Sequence, residues 1–176
     1  MKKRILTAVL AAALVTGTCA ATVSAKEEKA YTIGICQLVQ HDALDAATKG
    51  FEDAITEKMG DSVKFDEQNA QGDSNTCSTI INSFVSEGAD LILANATASL
   101  QAAAAGTSDI PILGTAVTEY GVALGIDDFD GTVGGNISGT SDLAPLDEQA
   151  DMLHELFPDA KNVGILYCLS LIHISE

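Results

Sequence analysis

The feature of this sequence that most constrains its fold is a regular alternation between two kinds of segment, from Tyr31 to about Ala116. Short, almost continuously apolar runs are each followed by a longer segment whose apolar residues recur every three or four positions, as on one face of a helix. The connections between them are short and polar. This order predicts an α/β fold in which a doubly wound parallel sheet is covered by helices on both faces.

The same pattern sets the bounds of the predicted elements. Strands are predicted at residues 31–36, 63–68, 90–94 and 110–114, and helices at 42–59, from Asp73 or Ser74 to Gly88, and at 99–105. Gly60 and Gly88 are placed to end the first two helices, because glycine readily adopts the conformation of a helix C-cap. The core-facing stripe of the second helix is predicted to consist of Cys77, Ile80, Ile81, Phe84 and Val85.

Beyond Ala116 a glycine-rich stretch leads into a second, shorter alternation. We predict a strand at 136–140, a helix at 147–157 after Pro145, and a strand at 162–167. The apolar side of that helix is predicted to consist of Leu146, Met152, Leu153, Leu156 and Phe157. This is the order expected at the start of a second α/β lobe, of which the sequence contains only the beginning.

The N-terminus has the three parts of a secretory signal peptide. Lys2, Lys3 and Arg4 form a basic start, residues 5–15 are apolar, and the small residues at 23–25 suit a signal peptidase. The apolar run is shorter than the roughly 20 residues that span a bilayer. We therefore predict an exported, extracytoplasmic protein, located in the periplasm or at the cell surface.

The predicted organisation has four parts. They are a signal peptide at 1–25, an N-terminal α/β ligand-binding lobe at 26–142, the first helix and strand of a truncated second lobe at 143–168, and a tail at 169–176. A strand continued through the tail would have about a dozen residues, roughly twice the usual length. The tail also looks like translated sequencing adapter, so we expect it not to be native.

The charge of the chain excludes some partners. Removal of residues 1–25 takes away three of the 9 basic residues and none of the 25 acidic ones, which leaves a net charge of −19. So acidic a surface disfavours nucleic acid and anionic lipid as partners. No second apolar span follows, and we expect a soluble monomer.

The cysteines do not form a recognisable framework. Cys36, Cys77 and Cys168 would remain after cleavage, an odd number without a C-x-x-C motif, which argues against a disulfide scaffold and a zinc site. Cys36 and Cys77 could pair if the first strand and the second helix are neighbours, but burial as two small apolar residues is favoured. Lipid attachment at Cys19 is not favoured, because the residues before it do not form a lipobox.

The chemistry at the predicted strand ends favours binding over catalysis. In an open parallel sheet, ligands bind beyond the carboxyl ends of the strands. Those positions carry mainly amides and hydroxyls, among them Gln37, Asn95 and Thr97. The sequence has no dinucleotide-binding, P-loop, nucleophile-elbow, zincin or EF-hand motif. A small polar or zwitterionic ligand is predicted, with no cofactor and no metal; a secreted enzyme using Cys77 or Asp45 is an alternative.

Several blocks of the sequence resemble, in order, the substrate-binding proteins of ABC transporters with the type I periplasmic-binding fold. The resemblance is to the branch that includes tryptophan-binding members. The blocks are residues 33–51, 69–73, 90–97, 110–118 and 134–142, followed by 162–167 as the first strand of the family's second lobe. Asp42 and Ala98 stand where members often have proline. The resemblance implies two lobes joined by a hinge, which close over a ligand.

The resemblance also implies a binding site and a function. The site residues in this sequence would be Val39, Gln40, His41, Asp45, Asn69, Gln71, Thr97, Ala116, Thr118, Ser141 and Asp142. The implied function, without enzymatic activity, is a receptor that delivers a small molecule to an ABC permease in the membrane. The ligand would be an amino acid, aromatic by resemblance. The sensing domain of a signalling protein is an alternative, since the same fold serves there.

Overall fold

The computed structural model describes residues 30–164. In chain order the elements are β1 (Tyr31–Gln37), α1 (Asp42–Met59), a 3-10 turn (Gly60–Ser62), β2 (Val63–Asn69), α2 (Ser74–Glu87), β3 (Leu91–Asn95), α3 (Thr97–Gly106), β4 (Ile112–Val117), α4 (Tyr120–Leu124), β5 (Ile137–Ser141) and α5 (Leu146–Leu156). The predicted signal peptide and the predicted tail lie outside the described residues. None of the described helices is long and apolar enough to cross a membrane.

The five strands form one sheet in the order β2-β1-β3-β4-β5, and every pairing between them is parallel. The chain passes from β1 outward to β2, and then returns across β1 to β3, β4 and β5. The direction of winding therefore reverses between β1 and β3, where Gln37 pairs with Asn95 at the carboxyl ends of the two strands. The predicted doubly wound α/β fold is confirmed.

One face of the sheet is covered by α1. Ile33, Ile35 and Leu93 are almost fully buried there, because alternate residues of a strand point to the same face. Phe51 of α1 packs against them, and its ring meets that of Phe65 edge to face, with centroids 6.5 Å apart. The predicted apolar face of the first helix thus forms one layer of the core.

The opposite face is covered by α2 and α3. Ile81 and Phe84 of α2 are fully buried, as predicted, and Phe84 lies so close to β1 that a Cβ at Gly34 would be 2.5 Å from its ring. The prediction that Val85 also faces the core is wrong, since its side chain is 36% exposed. Val85 lies about 100° further round the helix than Phe84, outside the arc that faces the sheet.

The segment after β5 differs from the prediction in part. Helix α5 forms close to the predicted bounds, but its apolar side is exposed among the described residues, with Leu156 at 64% exposure. The strand predicted at 162–167 does not form in its described part, residues 162–164. A strand needs a hydrogen-bonded neighbour, and these three residues pair with no other described segment. Residues 165–167 lie outside the described range.

Candidate ligand-binding site

The loops at the carboxyl edge of the sheet are joined by backbone hydrogen bonds. The N–H of Leu38 donates to the carbonyl of Asn95 (3.2 Å), and the N–H of Gly72 donates to the carbonyl of Leu38 (2.8 Å). The N–H of Ala96 donates to the carbonyl of Thr115 (2.9 Å). The ends of β1 to β4 therefore form one connected rim, which fixes the relative positions of the side chains on it.

Three non-glycine residues on this rim have positive φ angles. They are Gln71 (57°), Ala96 (95°) and Ala116 (53°). Each such conformation costs on the order of 1–3 kcal/mol and persists only where the surrounding structure holds it. Residues of this kind cluster at ligand sites, so the rim is marked as a candidate site on geometric grounds alone.

A buried polar network lies directly behind the rim, where the winding of the sheet reverses. It consists of Gln37 at the end of β1, Asn95 at the end of β3 and Thr48 of α1, which are 2%, 0% and 3% exposed. Thr48 Oγ1 donates to Gln37 Oε1 (2.7 Å), and Asn95 Nδ2 donates to Thr48 Oγ1 (2.9 Å) and to the carbonyl of Leu44 (2.9 Å). We call these three residues the amide network.

The orientation of Asn95 follows from its partners. A flipped side-chain amide would place Oδ1 against the carbonyl of Leu44, two acceptors facing each other. In the orientation that makes these bonds, Oδ1 is the one buried side-chain polar atom without a hydrogen-bond partner in the described part of the chain.

The amide network reaches the rim through Gln37. Its Nε2 donates to Asp45 Oδ1 (2.6 Å) and to the carbonyl of Val39 (3.0 Å). One oxygen of the Asp45 carboxylate is therefore held by a buried amide. No hydrogen bond from another described residue reaches the second oxygen of this carboxylate.

The predicted site residues after β1 lie in the short loop before α1 and in the first turn of that helix. Val39 is half-buried against the core, whereas Gln40 and His41 are exposed. His41 Nδ1 accepts from the N–H of Ala43 (3.2 Å) and so caps α1. Sequence reasoning placed His41 at the site but did not predict that it caps the helix.

The predicted residues after β2 and β3 lie on the same rim. Asn69 Oδ1 accepts from the backbone N–H of Gln71 (2.9 Å). The side chain of Gln71 is exposed. Thr97 is the first residue of α3, and the N-cap Ala96 contributes no side-chain hydrogen bond. The side chains of Gln71 and Thr97 make no hydrogen bond to other described residues, and the first N–H groups of α3 lack a side-chain cap, a setting that suits an anionic ligand group.

The rim continues to the end of β5, where the remaining predicted residues come together beside the end of β4. Ser141 Oγ donates to the carbonyl of Thr118 (2.7 Å), and the N–H of Asp142 donates to the carbonyl of Val117 (3.1 Å). Ala116, with its positive φ, lies at the irregularity in the pairing of these strands. The Asp142 side chain makes no hydrogen bond to another described residue.

A cavity of about 1070 Å³ is lined by α4, the loop at 125–134 and β5. It includes Thr118 and Ser141, but none of the predicted residues that follow β1, β2 or β3. The predicted site and this cavity therefore overlap only at the ends of β4 and β5. Of the four non-glycine residues with positive φ in the described part of the chain, three lie on the rim and one, Asp128, lies in the loop that lines the cavity. We place the candidate site on the rim, because most of the strained residues and the uncommitted polar groups lie there.

The rim carries groups that suit the binding of a small ligand. The described residues contain no group of His, Cys, Asp and Glu side chains that could hold a metal ion. Cys77 is 0% exposed, so its thiol does not face the rim as a nucleophile would. Carboxylates, amides, hydroxyls and backbone N–H groups are arranged there, which suits recognition of a small ligand carrying both charges.

Comparison with known proteins identifies the family. The family described as ABC transporter substrate binding protein matches residues 32–171. The chain is 44% identical over 149 residues to the tyrosine-binding protein of Clostridioides difficile (strain R20291). The matched residues cover 83% of this chain and 43% of that protein. The chain therefore belongs to the ABC transporter substrate-binding proteins, and it spans less than half the length of this curated relative.

Two solved structures of substrate-binding proteins share the fold. One is the ligand-free, open structure of a substrate-binding protein with adhesive properties from Clostridium difficile, with 43% identity, a TM-score of 0.65 and coverage of 74% of this chain and 45% of that chain. The other is an ABC domain in complex with L-Trp from Streptococcus pneumonia, with 34% identity, a TM-score of 0.65 and coverage of 73% and 44%. The family and these relatives are binding proteins.

Proposed function

We propose that this chain contains the ligand-binding lobe of an exported receptor, which delivers an aromatic amino acid to an ABC importer. The observation that carries the proposal is the rim itself, where Gln71, Thr97 and Asp142 present side chains that the fold does not use. The relatives support the ligand class, because one is named for tyrosine and another was solved with L-Trp. Export rests on the signal peptide predicted from the sequence.

We further propose how the rim divides the ligand. Asp142, and the second oxygen of Asp45, are the carboxylates available to an α-ammonium group. The uncapped start of α3, with the hydroxyl of Thr97, offers donors to an α-carboxylate. The described rim loops contain no lysine. Lys49, on α1, pairs with Asp53 (2.7 Å). Recognition of the carboxylate therefore falls to neutral donors.

The proposed site consists of the eleven residues predicted from the sequence: Val39, Gln40, His41, Asp45, Asn69, Gln71, Thr97, Ala116, Thr118, Ser141 and Asp142. The curated relative is more than twice as long as the matched segment. We propose that its unmatched part corresponds to the opposite wall of the cleft. On this proposal the residues described here form one wall only, and they bind the ligand weakly by themselves.

Two-dimensional NMR titration tests this, because it detects weak binding and locates it. L-tyrosine and L-tryptophan are added to the labelled chain, with L-leucine and D-tyrosine as comparisons. We expect shifts confined to amides of the rim loops with the aromatic L-amino acids. Absence of shifts with both, or equal shifts with L-leucine, would contradict the proposed ligand class.

A charge-matched set of variants tests the ammonium site. Asp142→Asn and Asp45→Asn each remove one negative charge from the rim, and Asp61→Asn removes one from the turn at the opposite edge of the sheet. Loss of a hydrogen bond to a charged group weakens binding by about 10- to 100-fold. We expect that loss in at least one rim variant and no change in Asp61→Asn. Equal affinities in all three would refute the assignment.

A further inference from the structure

Two buried cysteines meet beneath the rim. Cys36 lies in β1, Cys77 in the first turns of α2, and Ser99 in the first turn of α3, and all three are 0% exposed. Cys36 Sγ donates to Ser99 Oγ (3.6 Å), and Cys77 Sγ lies at the same distance from that oxygen. The two sulfurs therefore lie against the same hydroxyl, and both thiols are free. We call Cys36 and Cys77 the thiol pair.

We propose that the thiol pair is a reversible disulfide site, oxidised by a peroxide through a sulfenic acid on Cys77. In the first step the Cys77 sulfur attacks the peroxide; an S–O bond forms, the O–O bond breaks and one water leaves. In the second step the Cys36 sulfur attacks the Cys77 sulfur; the S–S bond forms, the S–O bond breaks and a second water leaves. Two thiols and one hydrogen peroxide thus give one disulfide and two waters.

The surroundings decide which thiol reacts first. Interactions with the Cys36 thiol and with the Ser99 hydroxyl lower the pKa of Cys77 to about 7, against the opposing effects of burial and of the Asp73 carboxylate. Interaction with the Cys77 thiol, together with burial, raises the pKa of Cys36. The thiolate is the reactive form, and a low-pKa thiol beside a second cysteine is the arrangement that resolves a sulfenic acid into a disulfide.

Formation of the bond would affect the rim. The sulfurs must approach to about 2 Å, which draws the start of α2 towards β1. Asn69 ends β2 and Gln71 lies in the loop between β2 and α2, so the disulfide would tether that part of the rim. Because neither sulfur is exposed, oxidation requires α2 to open at its first turns, and a small peroxide gains access before a bulky thiol reagent does.

Mass spectrometry of the purified chain tests the proposal. The folded protein is treated with hydrogen peroxide, free thiols are blocked with N-ethylmaleimide, and the unreduced protein is digested. We expect a peptide in which Cys36 is linked to Cys77, absent before treatment and lost again after reduction with dithiothreitol. The oxidised form should also unfold roughly 5–10 °C higher than the reduced form, since the bond closes a long loop.

Two single variants separate the two steps. In Cys36→Ser, Cys77 should stop at a sulfenic acid that dimedone traps; in Cys77→Ser, Cys36 should remain a thiol under the same treatment. Cys168 is the internal control, since a link from it to either member of the pair would overturn the proposal. Conversion of Cys77 directly to sulfinic acid in the wild-type chain would overturn it as well. The wild-type peptide map decides the outcome if either variant fails to fold.

Discussion

Replacement of Thr48 by valine tests whether the amide network holds the rim in place. Valine keeps the shape of the side chain but removes the hydroxyl, which donates to Gln37 Oε1 (2.7 Å) and accepts from Asn95 Nδ2 (2.9 Å). Gln37 Oε1 then keeps only a 3.4 Å contact from Asn95, whereas Asn95 Nδ2 keeps its bond to the carbonyl of Leu44. At about 1 kcal/mol for each of the two lost hydrogen bonds, we expect the free energy of unfolding to fall by about 2 kcal/mol.

Serine at the same position separates hydrogen bonding from packing. Thr48→Ser keeps the hydroxyl and removes one buried methyl group, which should cost about 1 kcal/mol. Urea unfolding followed by circular dichroism gives both values, with Thr56→Val on the exposed side of α1 as the control, expected to change stability by less than about 0.5 kcal/mol. If Thr48→Ser proves more destabilising than Thr48→Val, the hydroxyl is not important and the reasoning is wrong.

Three further substitutions test the structure elsewhere, each by urea unfolding. Gly139→Ala should destabilise the fold by about 3 kcal/mol, because the added Cβ would collide with the backbone of Gly114 and the hydroxyl of Tyr120. Tyr120→Phe should cost about 1 kcal/mol, because that hydroxyl donates to a carbonyl of β5; an unchanged midpoint would show that the bond contributes nothing. The N–H of Asn75 lowers the pKa of Asp73 below its unfolded value. Its contribution to stability is therefore present above the unfolded pKa and is lost as pH falls through the folded pKa, so Asp73→Asn should flatten the acid side of the stability profile.

The elements that sequence reasoning located best are those whose ends are set by local chemistry. Helix α1 has the predicted bounds, Asp42–Met59, and Gly60 follows it with a positive φ of 54°. Helix α2 is capped by Asp73 at its start and by Gly88 in the left-handed conformation at its end. These signals lie within a few residues of the ends they set, so they can be read without knowledge of the tertiary structure.

Strand β4 was misplaced because its bounds depend on its neighbours. The prediction of 110–114 followed the apolar run, whereas the strand is Ile112–Val117. Pro111 has no N–H to donate to a ladder, and the strand instead continues through Thr115 and Ala116. Thr115 pairs with β3 and Val117 with β5. Pairing with β3 on one side and β5 on the other keeps these small residues in the strand. The local sequence pattern does not indicate such pairing.

Helix α4 was missed for a related reason. Its five residues, Tyr120–Leu124, include Gly121 and are followed by Gly125, so the glycine content indicated a loop. The signal available was Glu119, whose carboxylate accepts from the N–H groups of Gly121 (2.9 Å) and Val122 (3.3 Å). Glutamate is not a preferred N-cap residue, so this signal was weak.

The polar strand-end residues divide into two layers, and this division limits how far a site can be predicted from sequence. Gln37 and Asn95 are the last residues of β1 and β3, and both are buried in the amide network; Asp45 and Thr97, slightly further along the chain, lie on the rim. Gln37, Asn95 and Thr97 look alike in the sequence, as polar residues at or just after the end of a buried strand, and Asp45 follows in the first turn of α1. What separates them is Thr48, which lies four residues after Leu44 on the apolar face of α1 and so brings a hydroxyl to the end of the sheet. We therefore propose that the last polar residues of β1 and β3 support the site, whereas those beyond them are the ones available to a ligand.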